Sequence, residues 1–272
     1  MAQNTKETAK KTTAKNTEIA EKLRNLARKY ETADFLDSDP SQFMHRFSTP
    51  VEQEIVAFIA ASLSFGQRKQ TLSHMEMILA DIRNKSLNPT SWITTGAYKR
   101  FFTLGEKAFH RMFTHNSLKL TCDTLGELLC KHTSLGQAFK ELYLVQQNSG
   151  IHLCQIIARA FPANCNIIPH TPTSAFKRIN MFLRWMVRTD SPVDLGLWTW
   201  FPKTQLLMPL DTHVMRQATD LGFLAPGANG KLKNPSLKIA VELTQKVCEI
   251  FPRDPLKADF ALFGHGVTQD SF

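Results

Sequence analysis

The chain carries little of what would tie it to an oxidising compartment, a metal centre or a bilayer. Its five cysteines, Cys122, Cys130, Cys154, Cys165 and Cys248, are odd in number and scattered, with no C-x-x-C pair. That spacing reads as reduced structural thiols and speaks against a disulfide framework or a cysteine-held zinc or iron–sulfur site. No apolar run approaches the roughly 20 residues that span a membrane, and residues 56–63 are too short. The N-terminal Met1–Lys6 has no apolar segment after its basic residues, so a secretory leader is not expected and a cytoplasmic protein is. No stretch alternates apolar and polar side chains long enough to argue for a sheet, and there is no internal repeat.

What is present is a basic balance. Lys and Arg total 33 against 24 Asp and Glu, a net charge of +9 and a pI near 9.4. Basic surfaces favour polyanions because neutralising phosphates releases counterions. Nucleic acid, ribosomal RNA or a membrane surface would each account for that charge. Part of it sits in Lys6, Lys10, Lys11 and Lys15, within a Lys/Thr/Ala/Asn tract (residues 1–16) that reads as a disordered tail. The remaining residues, 17–272, form one expected helical unit, a single domain or two lobes sharing a core.

Helical periodicity runs through most of that unit, so the expected class is all-α. Ile19, Leu23, Leu26 and Ala27 mark a first helix that ends before Asp37. Pro50 opens a second, apolar on nearly all sides from Val51 to Ser64 and therefore central. Ser64-Phe65-Gly66-Gln67-Arg68 breaks it, and a helix follows from Lys69 to about Arg83. Further helices are expected near 105–115, 122–131, 134–147, 151–160, 175–188, from Asp211, and over 235–251 and 255–264. Residues 161–174 read as a loop or hairpin, and 189–209 as an irregular, Trp-bearing segment.

Asp211 is placed to cap a helix, its carboxylate accepting backbone N–H groups of the next turn, and Leu221-Gly222 closes that helix. The run Asp211-Thr212-His213-Val214, with Arg216, Ala218, Leu221 and Gly222, also resembles the V-D-T-H-V-x-R-x-A-x-R-L-G segment of endonuclease III-like glycosylases. Asp220 stands where that pattern has Arg. Upstream, Thr171-Pro172-Thr173-Ser174-Ala175-Phe176-Lys177 is similar to the L-P-G-x-G-x-K-T-A hairpin of the same superfamily. Thr173 and Ala175 replace its glycines, so hydroxyls of Thr173 or Ser174 stand in for backbone capture of a phosphate. The 34-residue interval from Lys177 to Asp211 is closer to the archaeal 8-oxoguanine glycosylase group than to endonuclease III. As a whole, residues 30–267 resemble an uncharacterised bacterial family of the helix-hairpin-helix (HhH-GPD) DNA glycosylase superfamily, through Ser64–Arg68, Lys177–Arg188, Pro209–Asp211 and Asp259–Gly264.

The resemblance implies a two-lobed helical fold with a cleft between lobes, its catalytic segment at about 165–222. It further implies a monomeric base-excision repair enzyme acting on a damaged base or abasic site in double-stranded DNA, associated with the nucleoid. Lys177 would be a Schiff-base nucleophile; otherwise it is a solvated or phosphate-pairing lysine that opposes the helix dipole. Asp211 would stabilise an oxocarbenium-like sugar and relay protons; otherwise it is only a cap. Lys177, Asn180, Arg184 and Arg188 form one polar stripe, either a DNA-facing face or a solvated one. Gln67 and Arg68 occupy the place of a wedge that fills a vacated base stack, or a plain turn. His213 and Arg216 would meet a phosphate near a helix N-terminus, unless His213 belongs to the core. Trp198 and Trp200 would wall a base pocket and Asp194 would read a purine edge, whereas Trp185 suits the core. No cofactor is expected, because the C-terminal four-cysteine iron–sulfur loop of many superfamily members has only Cys248 to match it. The alternatives are a catalytically inactive nucleic-acid-binding protein on the same scaffold and an unrelated helical interaction module.

Overall fold

The computed structural model describes residues 2–269, with side chains from Asn16 to Thr268. Helices are α1 (Ala2–Tyr30), α2 (Pro50–Leu63), α3 (Arg68–Asn84), α4 (Pro89–Thr94), α5 (His115–Lys131), α6 (Leu135–Gln146), α7 (Leu153–Arg159), α8 (Lys177–Val187), α9 (Thr212–Asp220), α10 (Leu237–Cys248) and α11 (Lys257–Gln269). Short 3-10 segments join several of them, among them Ala33–Ser38 and Pro40–Arg46 after α1. The molecule is mostly helical. The backbone of the tract expected to be a disordered tail is helical from Ala2, while Met1 and the side chains before Asn16 lie outside the described residues. That tract contains no Gly or Pro and several Ala and Lys, which favour a helix that α1 can extend.

Helix α2 is the centre of the core. The Thr49 hydroxyl accepts the Glu52 N–H, Pro50 supplies the first turn, and every residue from Glu54 to Leu63 is buried. It packs against α8, α4, α6 and the 3-10 segment Pro40–Arg46. Phe58 stacks on Phe161 with ring centroids 5.1 Å apart and meets Phe182 of α8 edge-on at 5.1 Å. The first and last helices come together elsewhere, with α11 packed against both α1 and α9. Small residues permit that approach. A Cβ on Gly264 would lie 2.4 Å from the Tyr30 ring of α1, and one on Gly266 would lie 2.8 Å from the His213 Cβ at the head of α9.

One expected helix is replaced. Residues 105–115 form a small antiparallel hairpin of β1 (Ala108–His110) and β2 (Phe113–Thr114). Arg111 at its turn sits at φ +54°, a left-handed conformation that ends a helix. His110 and Phe113 point inward while Met112 is exposed, a spacing too short to show as alternation in the sequence. The helix headed by Asp211 forms as expected and closes at Gly222, whose φ of +81° suits glycine.

Candidate active site

Lys177 and Asp211 come from the first positions of two helices. Lys177 opens α8 after Phe176, which takes a left-handed φ of +48° and reverses the chain between the Thr171–Ser174 turn and the helix. Asp211 is the N-cap of α9, its Oδ1 accepting the Val214 N–H at 2.9 Å. That bond leaves Oδ2 toward Lys177, whose Nζ lies 3.5 Å away. The Lys177 side chain is 34% exposed and that of Asp211 12%, so the pair is open on the lysine side.

Both residues line a cavity of about 770 Å³. Its wall is assembled from distant stretches: Phe35 from the first 3-10 segment and Asp39 between that segment and the next, Ser64 to Arg68 after α2, Lys177 and Met181 from α8, Pro209 to His213 at the head of α9, and Asp259 and Phe263 from α11. Gln67 and Arg68 line the cavity, the Arg68 guanidinium over the Phe263 ring at 5.4 Å. His213 lines it as well, its ring edge-on to Phe263 at 5.9 Å. Arg216 is exposed one turn further along α9.

The Thr171–Ser174 turn, expected to meet a phosphate, is partly occupied by its own bonds. Thr173 is exposed, but the Ser174 hydroxyl accepts the Phe176 N–H at 3.3 Å, and the Ser174 N–H is given to the Thr171 carbonyl at 2.9 Å. Thr173 accepts the Leu237 N–H at 3.0 Å, which docks the start of α10 beside the hairpin.

Four expectations along the polar stripe and the insert are corrected. Asn180 is buried, and its amide donates to the Ala175 carbonyl at 3.0 Å, closing the turn before α8 rather than facing DNA. Arg184 and Arg188 are buried ion-pair centres rather than backbone-contacting cations. Arg184 bonds Asp194 at 3.2 Å and Asp259 at 2.5 Å. Arg188, wholly buried, bonds Asp194, Asp254 at 2.8 and 2.9 Å, and Glu31 at 2.6 Å. Phe260 lies against both guanidinium groups, 4.4 Å from Arg184 and 5.2 Å from Arg188. Burial of two such charges is tolerable only with this many partners. Asp194 is consequently committed to both arginines and does not reach the cavity as a purine reader.

Trp198 and Trp200 do not wall a base pocket. Trp198 is buried, donates its Nε1–H to Glu54 at 2.7 Å, and stacks on Trp200 at 5.7 Å. Glu54 also accepts the Leu135 and Gly136 N–H groups that open α6, at 2.8 and 3.2 Å. Burial raises the Glu54 carboxyl despite these three donors. A side chain at position 136 would meet Trp198 Nε1 at 2.5 Å, so the glycine is what admits the indole. The insert is thus a core plug that fixes α2 to α6.

Sequence reasoning gave no role to Phe35, Phe65 or Asp259, which line the cavity. Asp259 stands in the first turn of α11; the resemblance marks the segment Asp259–Gly264 but gives Asp259 no role. Arg178 is turned away from the cavity, donating to the Ser62 carbonyl at 2.9 Å and lying over Phe113 at 4.6 Å. Burial pushes its guanidinium down to about 10, still cationic at neutral pH. Among the described residues no cluster of His, Cys, Asp and Glu could hold a metal ion, and no helix is long and apolar enough to cross a membrane. The cysteines are all free thiols.

Comparison with curated proteins and with solved structures gave no match. One family model spans most of the chain, matching residues 39–268, which include every cavity-lining element except Phe35. The chain belongs to the family described as protein of unknown function (DUF2400).

Proposed function

We propose that this chain is a DNA N-glycosylase with an associated lyase step, a two-lobed HhH-GPD enzyme that works as a monomer on duplex DNA at the nucleoid without a cofactor. The observation that carries the reading is the approach of Lys177 Nζ to 3.5 Å from Asp211 Oδ2 on one open cavity of about 770 Å³. That volume is in the range of ligand pockets, about 300–1,000 Å³. The paired groups have the chemistry that cleavage of a glycosidic bond needs. As the base departs, positive charge builds on the sugar, and a carboxylate held by its own cap bond offsets it with little reorganisation. The adjacent amine, once neutral, attacks C1′ and forms an imine after ring opening. Phe35, Phe65 and Phe263 supply apolar wall for an extruded base, and Gln67 and Arg68 lie at the edge where the vacated stack would be filled. The net charge of +9 favours the polyanion.

The test is single-turnover base release from duplexes that each carry one oxidised, alkylated or deaminated base, comparing wild type with Asp211→Asn. Wild type should release at least one of these bases, and the variant should be slower by about 100-fold or more while binding the duplex equally well. A wild-type protein that binds the duplexes and releases nothing would contradict the reading.

A further inference from the structure

Three carboxylates line the cavity, and they are not equivalent. Asp39 spends its Oδ1 on the Ser41 N–H and hydroxyl, at 3.0 and 2.7 Å. Asp211 is divided between the Val214 N–H and Lys177. Asp259 is held through Oδ2 alone, by Arg184 at 2.5 Å, and its other oxygen has no hydrogen-bond partner among the described residues. Arg184 is itself clamped by Asp194, which Arg188 bonds in turn. The buried network therefore fixes one carboxyl group of the cavity through its Oδ2 and leaves its Oδ1 without a hydrogen-bond partner among the described residues. Helix α11 packs on α9, with Gly266 close against His213, and this carboxyl lines the same cavity as Asp211, near enough for the two charges to interact.

We propose that Asp259 is a second catalytic carboxyl group of this site, the acid that protonates the departing base while Asp211 faces the sugar. The proposal rests on the glycosylase reading above. In the step, the bond from C1′ to the base nitrogen breaks and its electron pair stays on the base. The base takes the proton of neutral Asp259, whose carboxylate is then held by Arg184. The sugar cation, balanced by Asp211, is captured by the neutral Lys177 amine or by water, the proton shed in that capture passes to solvent, and Asp259 takes a proton back from solvent before the next turnover. Two carboxyl groups whose surroundings separate their proton affinities are the usual form of such a division of labour. Burial, with Asp211 and Asp194 acting in the same direction, pushes Asp259 up to about 6 against the pull of Arg184. The charged groups about it are Arg184 on α8, Asp211 at the head of α9 and Asp194 after α8, with Lys177, Arg68, His213 and Asp39 on the same cavity.

The experiment compares wild type, Asp259→Asn and Asp259→Glu on two substrates over pH 5 to about 8.5, a span that brackets this carboxyl. One substrate is a duplex whose base the wild type releases; the other is the same duplex with a preformed abasic site, where no base needs protonation. The proposal predicts that Asp259→Asn slows base release by about 100-fold or more. It should also abolish the fall in wild-type rate as the pH rises above 6, and leave borohydride trapping on the abasic site at the wild-type level. Asp259→Glu should regain part of the rate and the pH dependence. Trapping on the abasic site also reports that the variant is folded. Base release by Asp259→Asn at the wild-type rate, or equal loss on both substrates, would overturn the assignment of Asp259 alone. Failure of the wild type on every duplex and on the abasic site would overturn the glycosylase reading and this assignment with it.

Discussion

Arg184 and Arg188 make the clearest case at the scale of single residues. Their helical spacing with Lys177 was visible in the sequence, but their destination was not, because the partners lie far along the chain. Asp254 is 66 residues from Arg188, Glu31 is 157, and Asp259 is 75 from Arg184. Local patterning cannot distinguish a solvated stripe from one buried by remote acids. Replacing Asp194 with Ala would leave both guanidinium groups short of a partner in the interior and should cost about 3–5 kcal/mol in a denaturant melt. If Asp194 read a base instead, stability would be unchanged and only substrate affinity would fall. Lys177 and Asp211 were legible for the opposite reason. Each sits at a helix start, where a short local motif decides both the backbone and the direction of the side chain.

Among elements, the seating of α11 and the β1–β2 hairpin are the parts that sequence periodicity left out or misread. A helix can be recognised from its apolar spacing, but the closeness of α11 to α1 and α9 depends on two glycines whose neighbours are remote. Gly266→Ala should lower stability by about 1–3 kcal/mol through contact with His213, because a packed interface resists an added methyl group. A melt indistinguishable from wild type would mean that α11 can withdraw from the head of α9. The hairpin is tied to the cavity edge by a histidine pair. His110 Nε2 contacts the Phe65 carbonyl at 2.9 Å, and its Nδ1 lies 2.8 Å from His74 Nδ1. With Nε2–H donating to Phe65, the Nδ1 of His110 accepts from His74. Burial lowers both rings below the ordinary histidine value of 6.5. Groups held neutral in the fold stabilise it above that value, and the contribution is lost as the pH falls through their lowered values. Hydrogen exchange at residues 64–68 and 108–114 should therefore accelerate selectively as the pH falls below 6.5, after correction for intrinsic rates. Uniform protection down to pH 5 would show that the pair does not hold the hairpin.

For the whole molecule, composition was informative about class and charge but silent on assembly. The helical class followed from the period of apolar residues, and the central place of α2 from its apolarity on all sides. The cavity did not follow, since its walls come from segments as far apart as Phe35 and Phe263. Net charge also cannot say which cations meet a phosphate, because two of the most suggestive are buried. If the exposed basic residues near the cavity carry duplex binding, Arg216→Ala should reduce the slope of log K against log salt by about 0.9 per lost contact. An unchanged slope would remove Arg216 from the interface.

The central claim is that Lys177 and Asp211 act together on the sugar of a nucleotide held in this cavity. Borohydride trapping of the purified chain on duplexes with abasic, 8-oxoguanine or oxidised-pyrimidine sites, followed by peptide mapping, tests it most directly. The account predicts a covalent adduct on Lys177 that is absent in Lys177→Gln, with duplex binding retained. No adduct on any of these sites, or one that persists in Lys177→Gln, would contradict it.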